Sequence, residues 1–387
     1  VLVDVKANRS TLRVGMVGYA FMGAAHAHAW RTAPRFFELP LRPELTAVCG
    51  RSADGVRAAA ERQGWASTET DWRRLVERDD IDLVDICTPG DSHAEIAVAA
   101  LRAGKHVLCE KPLANSLAEA REMAAAAEAA RAESGARSAV GFNYRRVPAI
   151  VLARQLVEEG RLGRIRHVRA QYLQDWLVDP QAPFTWRLSG ERAGSGALGD
   201  LGSHAIDLAQ FVTGARISGV SAVVETFVPE RPDPAGGSGR VTVDDAVAFT
   251  ARFTDDSLGV FEATRFATGR KNALRLEVDG ELGAIVFDLE SLNELGFHDH
   301  TENGRTAGFR RILATEPEHP YLAAWWPAGH VLGWEHTFTH QVKDLVEAIA
   351  AGADPSPSFA DGLGVQRVLD AVAASARARS VWTPIPD

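Results

Sequence analysis

A turn framed by two glycines, set between an apolar strand and a helix, constrains this chain most. Leu12-Arg13-Val14-Gly15-Met16-Val17 reads as the strand, Gly18-Tyr19-Ala20-Phe21-Met22-Gly23 as the turn, and the stretch to about Thr32 as the helix. Gly18 permits the tight reversal, and Gly23 lets helix and strand pack closely. The middle position, where a backbone comes nearest to a pyrophosphate, holds Ala20, the smallest step from glycine. A helix N-terminus at this place offers free N–H groups and partial positive charge to phosphates. Gly18, Ala20, Phe21, Met22 and Gly23 are therefore the expected cradle of a dinucleotide.

The alternation continues to about residue 141. Leu45–Cys49, Leu83–Cys87, His106–Cys109 and Ala139–Phe142 read as further short strands, with helices at Ala53–Gln63 and near Asp71–Glu77. Ser92 with Glu95, and Ser116 with Glu119, have capping-box spacing and announce two more helices, ending at Gly104 and near Gly135. Such alternation implies an α/β fold with a doubly wound parallel sheet. The expected first domain is the dinucleotide-binding one, residues 1–141, with 1–11 a short lead-in.

From 142 to 387 the pattern changes to an α+β domain for substrate binding and oligomerisation. After a helix at about 147–159, Val247, Phe249, Ala251 and Phe253 share one face of a strand. Leu274, Leu276 and Val278 do the same, opposite Arg275 and Glu277. Turn signals between such runs mark hairpins, hence a large, mostly antiparallel sheet. Helices near 197–213, 336–350 and 361–378 are expected to cover one face, leaving the other open. Pro229–Gly239 reads as an exposed loop. An open face invites pairing, so a homodimer or homotetramer is the expected assembly.

A net charge of -9 argues against a nucleic-acid partner, which usually shows as a basic stripe. No run approaches the roughly 18 apolar residues of a membrane span. The start of the chain lacks the order of a signal peptide, so no membrane partner and a cytoplasmic location are expected. Cys49, Cys87 and Cys109 each end an apolar run and read as buried thiols. The histidines of the last third (298, 300, 319, 330, 336 and 340) show no compact ligand spacing, so no metal is expected.

Three further motifs carry chemistry. At the end of the second strand stands Gly50-Arg51-Ser52, where an acid would favour NAD. Arg51 and Ser52 suit a 2′-phosphate instead, so the cofactor expected is NADP or NAD, with NADP favoured. Glu110-Lys111-Pro112 follows strand four, where a lysine faces the crevice in which such folds bind ligands; a cis bond before the proline fits there. Asp200 and His204 lie one helical turn apart, with Asp207 nearby. Alone, the pair reads as a helix cap and a core histidine. With Lys111 it can move a proton from a hydroxyl while a hydride leaves the carbon.

Together these residues resemble the glucose-fructose oxidoreductase/inositol dehydrogenase (Gfo/Idh/MocA) family. The likeness rests on Gly18 to Gly23, Cys87-Thr88-Pro89 with His93, Glu110-Lys111-Pro112, and Asp200 to Asp207. It implies a catalytic set of Lys111, Asp200 and His204, with His204 moving the proton, Asp200 and Lys111 binding hydroxyls and tuning it, and Asp200 and His204 also lining the substrate site. It implies cofactor contacts from Thr88, Pro89, His93, Glu110, Lys111 and the pair Trp186-Arg187, and pocket-lining positions at Tyr144, Arg145, Asp175 and Trp176. Gly90 stands where the family often has asparagine. The implied reaction is hydroxyl–ketone interconversion on a sugar, anhydrosugar or cyclitol, a small polyol as partner. Reduction of a non-sugar carbonyl or diol, or a dinucleotide-binding sensor without turnover, are the other readings.

Overall fold

The computed structural model describes residues 11–386, so nearly all of the lead-in at 1–11 lies outside the described residues. By its contacts the chain forms two units. One comprises residues to Leu113 with Ala118–Gly141 and Trp334–Gly362; the other comprises Ala114–Leu117, Phe142–Gly333 and Leu363–Asp387.

The first unit alternates strand and helix in sequence: β1 (Thr11–Val17), α1 (Phe21–Phe36), β2 (Arg42–Cys49), α2 (Ala53–Gln63), β3 (Ser67–Glu69), α3 (Trp72–Glu77), β4 (Leu83–Ile86), α4 (His93–Arg102), β5 (His106–Cys109), α5 (Leu117–Glu133) and β6 (Ser138–Val140). The strands form one sheet in the order β3-β2-β1-β4-β5-β6, each pair parallel. The order reverses between β1 and β4. At such a switch point the two chain ends part to opposite faces and leave a crevice beyond the strand ends. β1 runs out there into Gly18, and β4 into Cys87-Thr88-Pro89. The brief strand β3 is an addition to the expected set. Ser92 does not cap α4 as its spacing with Glu95 predicts. A 3-10 turn over Gly90–Ser92 aims its hydroxyl back at the Pro89 carbonyl and the Thr88 hydroxyl, and Glu95 pairs with Arg73.

The second unit contains α6 (Pro148–Glu158), β7 (Ile165–Leu173), α7 (Gly190–Ala193), α8 (Ser203–Thr213), β8 (Ile217–Glu225), β9 (Glu230–Pro232), β10 (Ser238–Arg240), β11 (Ala246–Phe253), β12 (Leu258–Thr264), β13 (Ala273–Gly280), β14 (Gly283–Asp288), β15 (Glu294–Asp299) and β16 (Arg310–Leu313). The chain ends in α9 (His336–Ala351), α10 (Phe359–Arg377) and β17 (Thr383–Pro384). A nine-stranded sheet runs β16-β15-β14-β13-β7-β12-β11-β8-β17, antiparallel except where β12 meets β7. Its alternation is as expected: Val247, Phe249, Ala251, Phe253, Leu274, Leu276 and Val278 are buried. The opposite face exposes Thr250, Arg252 and Val260 and carries ion pairs from Arg169 to Glu277 and Asp279. The stretch Pro229–Gly239 is not a bare loop. It holds the β9–β10 ladder, and buried Arg231 donates to the carbonyls of Leu177 and Asp179.

Of three helices expected over the sheet, two stand with it: α8 against β7, β12 and β13, and α10 through Ser375, whose hydroxyl accepts the Ala222 N–H of β8. The third, α9, packs instead against α1. Phe338, Val342, Leu345 and Val346 enter the core built by Ala27, Trp30 and Ala33 of α1. The chain therefore crosses between units more than once, rather than only at 141 and 142.

Candidate active site

The glycine turn has the geometry its sequence announces. Gly18 has φ +98°, which L side chains rarely adopt, and a Cβ there would meet the Cys87 carbonyl oxygen at 2.7 Å. One on Gly23 would lie 2.1 Å from the Gly18 oxygen. Only glycine fits at either place, which brings the start of α1 against the switch point. Exposed Ala20 begins α1 in an extended conformation, with no side-chain cap and no acidic residue in the first turn. Helix-end N–H groups left without a side chain in this way suit an anion. The residues present thus fit the pyrophosphate of a dinucleotide. Half-buried Met22 packs against the unit's core, and Phe21 stacks on Trp334 at 5.5 Å.

At the end of β2, Tyr19 lies over Gly50, where an added Cβ would sit 2.0 Å from its ring. Arg51 is exposed. The Ser52 hydroxyl accepts the Gly55 N–H at 3.2 Å as the N-cap of α2, so part of its capacity is spent within the fold.

The ends of β4 and β5 are tied by two histidines. His93 sets Nε2 3.0 Å from the Thr88 carbonyl and Nδ1 3.1 Å from the Pro112 carbonyl. The bond from Lys111 to Pro112 is cis. Glu110 is buried, its Oε2 accepting the Lys111 N–H at 3.3 Å and its Oε1 lying 2.9 Å from His26 Nε2. His26 Nδ1 meets Asp85 at 2.9 and 3.0 Å, and Trp30 Nε1–H donates to Asp85 at 2.7 Å. Sequence reasoning missed His26 and Asp85. The available signal was Asp85 itself, a carboxylate within a four-residue strand buried on both faces, which must find donors.

His26, Asp85 and Cys87 are the described trio close enough to hold a metal ion. Burial, then Asp85, pushes the Cys87 thiol well up, and the carboxylate is already occupied by hydrogen bonds. A metal needs the thiolate, so this chemistry reads as a hydrogen-bonded ladder. All three cysteines are free and buried; burial likewise raises Cys49 to about 12.

In the second unit Asp200 sits in a π-helical turn, Leu198–Gly202, which runs directly into α8 and His204. Such turns are rare and often mark functional positions. The segment is anchored from β11's approach: Asp244 accepts the N–H groups of Gly196 and Leu198, each at 2.7 Å. A Cβ on Gly196 would fall 1.8 Å from the Asp244 carbonyl oxygen, so this anchoring needs glycine.

His204 is buried among three rings: Tyr144 at 4.7 Å, Phe142 at 5.8 Å and Tyr172 at 5.8 Å. The Tyr172 hydroxyl donates to Asn272 Oδ1 at 2.7 Å, which leaves Tyr144 to donate to Tyr172 across 3.0 Å. Burial, then Tyr144, raises the Tyr172 phenol well above its ordinary value, so it stays neutral. Asp200 accepts from Arg265 Nη2 at 3.0 Å, a partner that no sequence pattern marked.

The remaining expected positions are spread more widely. Arg145 directs its guanidinium at Asp207, both buried. Asp175 is held by Lys271 Nζ at 2.7 Å and the Gly269 N–H; the lysine's hydrogen bond lowers its carboxyl. Trp176 is exposed, donates to Gln174 and lies under Arg265. Arg187 stacks over its neighbour Trp186. Lys111 belongs to the first unit, and Asp200 and His204 to the second.

Residues 12–136 match the oxidoreductase family with an NAD-binding Rossmann fold, and residues 150–286 match the GFO/IDH/MocA C-terminal domain. An oxidoreductase domain protein from Kribbella flavida is 66% identical, with a TM-score of 0.95 over 97% of this chain and 100% of that one. Levoglucosan dehydrogenase from Pseudarthrobacter phenanthrenivorans is 40% identical over 97% of this chain and 98% of its own. A levoglucosan dehydrogenase structure in complex with NADH and levoglucosan is 41% identical, with a TM-score of 0.93 over 97% of this chain and 99% of that one. With a glycine cradle that fits a dinucleotide's pyrophosphate and matches along both parts of its length, the chain belongs to the Gfo/Idh/MocA family of oxidoreductases.

Proposed function

We propose that this oxidoreductase interconverts a secondary hydroxyl and a ketone on a sugar, anhydrosugar or cyclitol, with an anhydrosugar as the class to try first. The observation that carries the reading is the enclosure of His204 by Phe142, Tyr144 and Tyr172, one turn beyond Asp200. The likeness to levoglucosan dehydrogenase along the whole chain supports the anhydrosugar.

The nicotinamide, when bound, supplies or accepts the hydride at C4. The chain's own residues handle the proton and the oxygen. His204 takes the hydroxyl proton in oxidation and returns it in reduction, its ring held by three aromatic faces that also keep water away. Lys111 donates from its ammonium to the reacting oxygen and stabilises the charge that gathers there. Asp200, held by Arg265, accepts from a hydroxyl and orients the ring bearing it. In oxidation one C–H and one O–H bond break, a C=O bond forms, the hydride leaves for the cofactor and the proton for His204.

NAD(H) is the cofactor we put first, since the relative in complex with levoglucosan also holds NADH. One observation favours NADP: exposed Arg51 at the end of β2, with no acid at Gly50 to repel a 2′-phosphate. A polyol panel that includes levoglucosan, run with each nucleotide, decides both questions. We expect reduction of NAD by at least one anhydrosugar or cyclitol. Lys111→Ala and His204→Ala should each lower kcat by about a hundredfold or more while NADH binding, read by fluorescence, persists. Wild-type turnover in both variants would overturn these roles, and no reduction across the panel would overturn the activity.

A further inference from the structure

One group of buried charges in the first unit has no part in the chemistry above. His26, on the second turn of α1, is 1% exposed, Asp85 on β4 is 0% and Glu110 after β5 is 5%. Both imidazole nitrogens point at carboxylate oxygens, Nδ1 at Asp85 and Nε2 at Glu110. An ionised carboxylate only accepts hydrogen bonds, so the form that satisfies both sides is the imidazolium, with a proton on each nitrogen. The groups around it agree. Trp30 from α1 and the Cys87 thiol donate to Asp85, the Phe338 ring of α9 lies 5.4 Å away, and Cys109 stays a neutral thiol, its acidity suppressed by burial. Burial opposes the charge on His26, but Asp85 and Cys87 together outweigh it, and the imidazole pKa stands well above its ordinary value.

Burying three ionised groups costs several kcal/mol per ion before pairing offsets it, and apolar residues would fill the same space without that cost. Stability alone is thus a poor reason for the ladder. Its ends are more informative. It starts on the helix whose first turn is the dinucleotide cradle. It finishes on Glu110, whose other oxygen takes the N–H of Lys111. Gly141 leaves room for that carboxylate, since a Cβ there would lie 2.7 Å from Glu110 Oε1. On the far side of Lys111, the Pro112 carbonyl is engaged by His93. The lysine therefore projects from a backbone pinned at both neighbouring residues by buried histidines.

We propose that His26 is a positioning residue for the reaction: clamped between Asp85 and Glu110, it fixes the backbone from which Lys111 reaches the reacting oxygen and keeps that point in register with the cofactor helix. This rests on the role given to Lys111 above. A displacement of about 1 Å in a reacting group can cost on the order of a hundredfold in rate, so a rigid mount is worth its burial.

The test compares wild type, His26→Gln, Trp30→Phe and Lys111→Ala, using NAD with levoglucosan or with whichever polyol turns over fastest. For His26→Gln we expect kcat to fall about tenfold or more, with KM for the polyol and Kd for NADH within about twofold of wild type. Hydrogen exchange should quicken at residues 109–112 and not across the sheet. Trp30→Phe removes the indole N–H donated to Asp85 together with part of a buried ring, and should lower kcat severalfold. If His26→Gln is unfolded at the assay temperature, Trp30→Phe decides alone. Wild-type kcat in the folded variants beside an inactive Lys111→Ala overturns the positioning role and leaves the lysine's intact. Full activity in Lys111→Ala overturns the underlying assignment whatever His26 does. Exchange that quickens uniformly, with activity loss matching the unfolded fraction, reduces the ladder to a structural one and also overturns the proposal.

Discussion

Arg265 is 1% exposed, yet only its Nη2 has partners, the Gly196 carbonyl and the Asp200 carboxylate. Its Nε and Nη1 lack hydrogen-bond partners in the structure. A buried guanidinium so incompletely paired adds little to stability, because its desolvation offsets most of what Asp200 returns. Its value lies in holding Asp200. Arg265→Gln should therefore lower kcat/KM about ten- to a hundredfold, the equivalent of one charged hydrogen bond, while the melting temperature moves by only a few degrees. Kinetics and thermal melts on the same preparation check this; a large fall in Tm with unchanged kcat/KM would refute it. Asp200 and His204 were legible in the sequence because four-residue spacing on a helix is a strong local pattern. Arg265 was not, because its link to Asp200 spans 65 positions and leaves no periodic trace.

At the scale of elements, local pattern announced each piece more reliably than its neighbours. The strands and helices of the parallel sheet follow from short apolar runs and glycine stops, and β11 and β13 from strict alternation. The partner of α9 does not follow. Its apolar stripe requires burial but carries no address, and the aromatic pair Trp334 and Phe338, rings 4.7 Å apart, places it with α1 instead of the antiparallel sheet. The π-turn before α8 was equally hidden, since the distant Asp244 holds its start. Asp244→Ala leaves two helix-start N–H groups without their acceptor and should cost about 1–2 kcal/mol. Because those groups lead into Asp200 and His204, activity per folded molecule should fall too. Exchange confined to 196–204 in the variant supports this; unaltered protection there, with normal turnover, would rule it out.

For the whole molecule, the buried ladder makes a prediction about pH. The His26 pKa is raised on folding, chiefly by Asp85 against the opposing effect of burial. A cation favoured by the fold stabilises it fully below the unfolded imidazole value of about 6.5. That contribution is lost as pH rises through the higher folded value, where the native state would have to give up its proton. Thiols ionise over part of the same range: burial raises Cys49, Cys87 and Cys109, and the unfolded chain releases their protons first, so they too weaken the fold as pH rises. Wild type and His26→Gln share the thiols, so the difference between them reports the histidine together with the effect of its charge on Cys87 and Cys109. Melts in steps from pH 6.5 to 9.5 should show the largest gap in Tm at the acid end, narrowing toward the alkaline end. A constant gap across that range would mean that His26 is neutral in the fold and holds Glu110 by shape alone.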